Sequence, residues 1–144
     1  FLKHEPFAQA NFNEIVPENL RSDAYTRHVY TFKHTAFMGN GKGFRSVELP
    51  LATQIAPLQK IIKKDNRYYL SGNNYSTEVT VGQYDASRGF EIRYNDNLKE
   101  FELVSNSEYR ALGDIKNAVL LEIGDRKVVV HGVNNDTLYV RELK

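Results

Sequence analysis

The apolar positions change their period once along the chain. Ala8, Phe12, Ile15 and Val16 recur at spacings of three and four, one face of a short helix, and Pro6 suits its first turn. Pro17-Glu18-Asn19 interrupts that face, and Leu20 to Tyr25 add one more turn. Residues 1–24 are therefore expected to form a helical segment packed on the flank of something larger. From Tyr25 onward the pattern becomes short β segments separated by Gly, Asn and Asp. Strands are predicted over Arg27–Phe37, Phe44–Leu49, Pro57–Lys64, Arg67–Ser71, Gly89–Tyr94, Phe101–Val104, Ile115–Ile123, Lys127–Val133 and Thr137–Leu143. Ala118-Val119-Leu120-Leu121 and Val128-Val129-Val130 are unbroken apolar runs, as expected of strands covered on both faces. Gly39-Asn40-Gly41-Lys42-Gly43, Gly124-Asp125-Arg126 and Asn134-Asn135-Asp136 supply turn residues that tolerate positive φ.

The β region repeats. Shifted by 57 residues, Phe44 falls on Phe101, Ile55 on Leu112, Leu58 on Ile115 and Ile62 on Val119. After a three-residue insertion, Ser71-Gly72-Asn73-Asn74 aligns with His131-Gly132-Val133-Asn134. A repeat of this size with about four strands matches one propeller blade. The expected fold is all-β with a short N-terminal helix: two propeller-type four-stranded antiparallel blades, residues 25–74 and 75–144, belonging to a larger β-propeller. Two blades cannot close a ring, since propellers use about 4–8. Upstream blades of the same protein, other copies of the chain, or a two-sheet sandwich would resolve this, and the first is expected.

The residues also carry a resemblance. Tyr69-Leu70-Ser71-Gly72-Asn73-Asn74-Tyr75-Ser76-Thr77-Glu78-Val79, then Gly82-Gln83-Tyr84-Asp85-Ala86-Ser87-Arg88-Gly89, resembles the closing region of bacterial FG-GAP/VCBS repeat propellers of the ASPIC/UnbV and cartilage-acidic-protein type. Asn134-Asn135-Asp136-Thr137-Leu138 resembles their ending, and Met38-Gly39-Asn40-Gly41-Lys42-Gly43-Phe44 their glycine-bearing turn. The resemblance implies C-terminal blades of an exported protein: secreted, periplasmic or on the outer surface. Blades of that family often carry an acidic calcium loop. Here Ile62-Lys63-Lys64-Asp65-Asn66-Arg67 has one carboxylate among three cations, and Glu122-Ile123-Gly124-Asp125-Arg126 also lacks the spacing. A calcium ion needs several converging oxygens, so no metal or other cofactor is expected in these blades.

Composition narrows the function. Nineteen basic residues against eighteen acidic ones give a net charge of +1, without the basic footprint of a nucleic-acid binder. The absence of cysteine removes disulfides, thiolate metal sites and cysteine nucleophiles. No apolar run is long enough to span a membrane. Phe1-Leu2-Lys3-His4-Glu5 is neither a signal peptide nor an initiator methionine, so an export signal or lipid anchor is expected upstream. His28 and His34 share a parity on one presumed strand, but no HxH or HExxH pattern accompanies them. No nucleophile elbow or distinctive carboxylate pair is present, and the glycine-rich 39–43 segment lacks phosphate-loop spacing.

The richest segment is 73–89, which mixes amides, aromatics, acids and a cation. Asn73, Tyr75, Glu78, Tyr84, Asp85 and Arg88, with Asn134 and Asn135, are the candidate ligand-binding residues, because aromatic faces beside planar hydrogen-bonding groups suit a glycan or a peptide. The same residues also suit a structural role, with Asp85 bonding turn amides, Tyr84 packing between blades, and Asn73 and Asn135 closing inter-blade loops. The expected function is a non-catalytic binding or scaffold module with a glycan or protein ligand. The rivals are an accessory part of a polysaccharide-processing or uptake system and a self-assembling structural protein.

Overall fold

The computed structural model describes residues 3–143 of a chain that divides into two compact units, Phe1–Phe32 and Lys33–Lys144. Phe1, Leu2 and Lys144, which the expected segments 1–24 and 75–144 include, lie outside the described residues. The first unit holds three short helices, α1 (His4–Gln9), α2 (Phe12–Ile15) and α3 (Glu18–Arg21). Asn11 caps α2: its side chain accepts the Asn13 N–H at 3.0 Å, and the Glu14 carboxylate accepts the Asn11 N–H at 2.8 Å. Pro17 stops that helix and opens the next. None of the three buries a residue.

The second unit is antiparallel β-sheet. Strands β1 (Thr35–Gly39) and β2 (Phe44–Glu48) form a hairpin. Strands β3 (Leu58–Lys64), β4 (Arg67–Gly72), β5 (Phe90–Asn95) and β6 (Glu100–Leu103) form a four-stranded meander. Strands β7 (Ile115–Ile123), β8 (Arg126–Val133) and β9 (Tyr139–Leu143) form a three-stranded one. A 3₁₀ helix over Leu51–Ile55 fills the stretch between the first two sheets.

The expected strand Arg27–Phe37 begins only at Thr35. The ladder with β2 ends at Thr35↔Glu48, and residues 22–34 form no strand among the described residues. The sheets contain two, four and three strands rather than four and four. The four-stranded sheet takes strands from both sides of residue 74, because β5 returns beside β4 with Leu70 opposite Phe90 and Tyr68 opposite Ile92. That pairing leaves Leu70 with no exposed surface.

The central sheet is covered on both faces. On the front, Leu70, Ile92 and Phe101 pack against Val47 and Leu49, with Ala36 and Met38 beside them. On the back, Ile62 and Tyr69 pack against Ile115, Ala118, Val129 and Leu143 of the three-stranded sheet, with Tyr109 and Ala111 between. Alternation along each strand places these two sets on opposite faces.

The internal repeat is visible in the hydrogen-bond register. The β3–β4 ladder slips between Leu58 and Lys60, and the β7–β8 ladder between Ile115 and Asn117, each 57 positions later. The Asn73 N–H donates to Pro57 O at 3.0 Å, and the Asn134 N–H to Asp114 O at 2.9 Å. The insertion is four residues, not three: β3 has 7 residues and β7 has 9, while both hairpins turn in two. Asn73 therefore corresponds to Asn134. In the same register the β1–β2 hairpin corresponds to β5–β6, and β9 to β5.

Candidate functional site

The segment that follows β4 is tied down at its root. Gly72 is obligatory, since a Cβ there would lie 1.8 Å from Pro57 O. Asn73 is next, in the left-handed region at φ 84° and 1% exposed. Its Nδ2 donates to Ser87 O and Gly113 O, both at 3.0 Å, and its Oδ1 accepts the Ser87 N–H at 2.9 Å. One side chain thus joins the end of β4, the return to β5 and the start of β7.

Asn74 and Tyr84 then exchange both backbone hydrogen bonds at 2.9 Å, closing residues 75–83 into a loop. Inside it the Val81 N–H reaches Glu78 O at 3.0 Å, and the Thr77 hydroxyl donates to Gly82 O. Tyr75 and Tyr84 stand at the neck with 37% and 43% of their surfaces exposed, enough for a ligand to stack on.

Asp114 anchors the same corner and is 1% exposed. Its Oδ2 accepts Asn134 Nδ2 at 3.1 Å. Its Oδ1 lies 2.7 Å from Lys116 Nζ, an ion contact without hydrogen-bond alignment. Burial alone would raise its pKa. The Lys116 ammonium, the Asn134 amide and the Tyr75 N–H together outweigh that and hold the carboxyl below its ordinary range. Lys116 also donates to Asn74 Oδ1 at 3.3 Å.

Of the eight residues singled out in the sequence, Asn73, Tyr75, Tyr84 and Asn134 meet at this corner. Asn135 adjoins it, exposed, at φ 56°. Glu78 is exposed on the loop, and Asp85 and Arg88 are exposed on the return from Tyr84 to β5. The Asp85 carboxylate bonds no turn amide among the described residues; the structural work falls to Asn73 and Asp114 instead. Asp114 carries no local mark in the sequence because two of its three partners, Asn134 and the Tyr75 N–H, come from distant segments. Its place 57 positions after Pro57, at the foot of the repeat, was the available signal.

Away from that corner, a concavity opens where the central and three-stranded sheets diverge. It encloses about 660 Å³, lined by Arg67, Tyr69, Glu91, Ser107, Tyr109 and Arg141 among others. Glu91 is 7% exposed, bonded by the Arg67 guanidinium and by Ser107 Oγ at 2.5 Å. The hydrogen bond and charge of Glu91 raise the Arg67 pKa, so the guanidinium stays charged. Arg141 Nη2 donates to Glu108 O at 2.6 Å across the mouth. No sequence motif marked this groove, which gathers residues from β4, β5, β9 and the 104–109 connection.

Behind the groove lies a buried polar chain. The Tyr109 hydroxyl is 2.8 Å from His131 Nε2, and His131 Nδ1 is 3.3 Å from Tyr139 O. A carbonyl only accepts, so Nδ1 carries the proton and Nε2 accepts from Tyr109. Burial lowers the His131 pKa, the Tyr139 carbonyl opposing weakly, so the ring is held neutral. Burial also pushes the Tyr109 phenol well up; the buried Ser71 hydroxyl, close by but poorly aligned, offsets this only in part.

His28 and His34 do not share a strand, and they lie in different units. His34 Nδ1 is 3.0 Å from Thr53 O, a structural bond. The glycine-rich 39–43 segment is a hairpin turn in which Asn40 Oδ1 accepts the N–H groups of Lys42 and Gly43 at 2.9 and 2.8 Å. Among the described residues no group of three or more His, Asp or Glu side chains is arranged to hold a metal ion, and no helix is long and apolar enough to cross a membrane. No family model, no curated protein and no solved structure matches the chain.

Proposed function

We propose that this chain is a non-catalytic binding or scaffold module, built on propeller-type blades of the FG-GAP/VCBS kind and belonging to an exported protein. The supporting observation is the recurrence of one hydrogen-bond register. The slips at Leu58/Lys60 and Ile115/Asn117 and the two Asn-to-repeat-start bonds give successive sheets one construction. Sheets repeated in that way stack face on face, and function on such scaffolds sits in connecting loops. Here the 73–89 connection presents Tyr75 and Tyr84, with Asp85 and Arg88 free on its surface, above a root held by Asn73 and Asp114. Exposed aromatic faces beside a carboxylate and a guanidinium favour a glycan or an extended peptide. Of the glutamates that line the groove, the buried Glu91 is committed to Arg67 and Ser107, which favours a structural role for it over a catalytic one.

The test is a glycan array probed with the intact chain and with Tyr84→Ala and Asp85→Ala. The reading expects at least one glycan class to be retained by the parent. Binding should fall at least about tenfold in both variants, roughly the loss of one good contact, with circular dichroism unchanged. Equal retention of parent and variants would remove the loop as the site.

A further inference from the structure

Two faces of the β unit present uncovered apolar side chains, and the repeat identifies both. On the three-stranded sheet, Val119, Leu121, Ile123 and Val140 point away from the core, each 42% to 57% exposed, with Val130 among them. In the register of the repeat, Val119 and Val130 hold the places of Ile62 and Tyr69. Those are the residues that bury the back of the central sheet against its neighbour. On the hairpin, Phe37 and Phe44 point away from the central sheet, 68% and 78% exposed. They hold the places of Ile92 and Phe101, which are buried at 2% and 8% under the hairpin itself.

The uncovered pair therefore comprises one back face and one front face. Within the molecule, back meets front at the junction of the central and three-stranded sheets. We propose that the back of the three-stranded sheet seats the front of the β1–β2 hairpin from a second copy of this chain, head to tail. This rests on the blade-like stacking proposed above and names the surface and occupant that continue it. The two surfaces differ, so the contact is heterologous, and a second copy leaves one face of each kind open at the ends. Such contacts build rings or filaments rather than a closed two-fold dimer.

The experiment is light scattering and sedimentation of the full chain over a concentration series, with Phe44→Glu for the front and Leu121→Glu for the back. The parent should rise to at least twice the single-chain mass by about 1 mM, where even millimolar contacts are populated. Each variant alone should remain a single chain. Mixed in equal amounts, they should form a species of two chains and nothing larger, because the intact back of one meets the intact front of the other. Should Leu121→Glu lose its fold by circular dichroism, Ile123→Glu at the hairpin tip replaces it. A single-chain mass for the parent throughout the series overturns the proposal. So does a dimer formed by either variant alone, which would mean a two-fold contact. Assembly is read by mass and ligand binding by the array, so either reading can fail while the other stands.

Discussion

Replacing Asn73 with alanine is the sharpest perturbation available. The substitution deletes three hydrogen bonds made by one buried side chain, two donated to Ser87 O and Gly113 O and one accepted from the Ser87 N–H. A buried bond contributes about 1 kcal/mol net, and stranding its partner costs about 1–3 kcal/mol. The Ser87 N–H is the most costly group to strand, because Ser87 is 2% exposed. The backbone adds a further charge: at φ 84° an alanine Cβ costs about 1–2 kcal/mol where asparagine is tolerated. Together these give about 4 kcal/mol, a large share of the 5–15 kcal/mol that holds a typical domain together.

Two controls make that figure diagnostic. Asn73→Gly loses the same bonds but relieves the backbone, so it should be about 1 kcal/mol less damaging than alanine, the reverse of the usual ranking away from positive φ. Asn134→Ala, at the corresponding position of the next sheet, removes one bond to the buried Asp114 carboxylate and should cost about 1.5–3 kcal/mol, less than alanine at 73. Urea unfolding followed by circular dichroism reads all three. If alanine at 73 costs no more than alanine at 134, or if glycine at 73 is worse than alanine, Asn73 is not the clamp described here.

Two further outcomes follow from the same geometry. Acid should weaken the β unit through His131: its pKa is lowered in the folded chain, so below its ordinary value near 6.5 the unfolded state binds the extra proton. Stability is complete above that pH and declines as pH falls toward the folded value. Urea midpoints at pH 7.5 and 5.5 should separate, and His131→Gln should flatten the difference; an unchanged separation would place the titration elsewhere. Gly72→Ala should prevent folding or cost more than about 4 kcal/mol, since its Cβ would meet backbone oxygen at 1.8 Å, whereas Gly41→Ala, with open space at φ 81°, should cost only about 1–2 kcal/mol, both by thermal unfolding.

Strand identity was legible because it depends on local alternation and turn chemistry. The turn at Gly39–Gly43 and the apolar runs of β7 and β8 lie where the residues put them. Sheet membership was not legible, because it depends on where β5 docks. Phe90 and Ile92 carry no mark that sends them back to Leu70 and Tyr68 rather than onward to a new sheet. The insertion size is hidden in the sequence for a related reason. Matching glycines aligned Gly72 with Gly132, but lengthening an antiparallel hairpin adds residues to both strands at once, so the four-residue answer is the one the ladder permits. The site divided in the same way. Tyr75 and Tyr84 stood out by type, while Asp114, Lys116 and Glu91 acquire meaning from Asn134, Asn74 and Arg67, which are distant in the chain.

The division between buried and presented groups bears on function. Asn73 and Asn134 occupy one position of the repeat, yet the first is spent on three internal bonds and the second is exposed beside Asp114. The difference follows from what comes next: the 73–89 connection folds over Asn73, while only Asn135, Asp136 and two further residues separate Asn134 from β9. A three-bond clamp in one sheet is thus an exposed amide with a single bond in the next, without any change of residue. Conversely, Ile62 and Val119 are interchangeable aliphatics, buried in one sheet and half-exposed in the other. The repeat supplies equivalent positions to each sheet, and the neighbour on either side determines which become core and which remain open to a ligand or another copy.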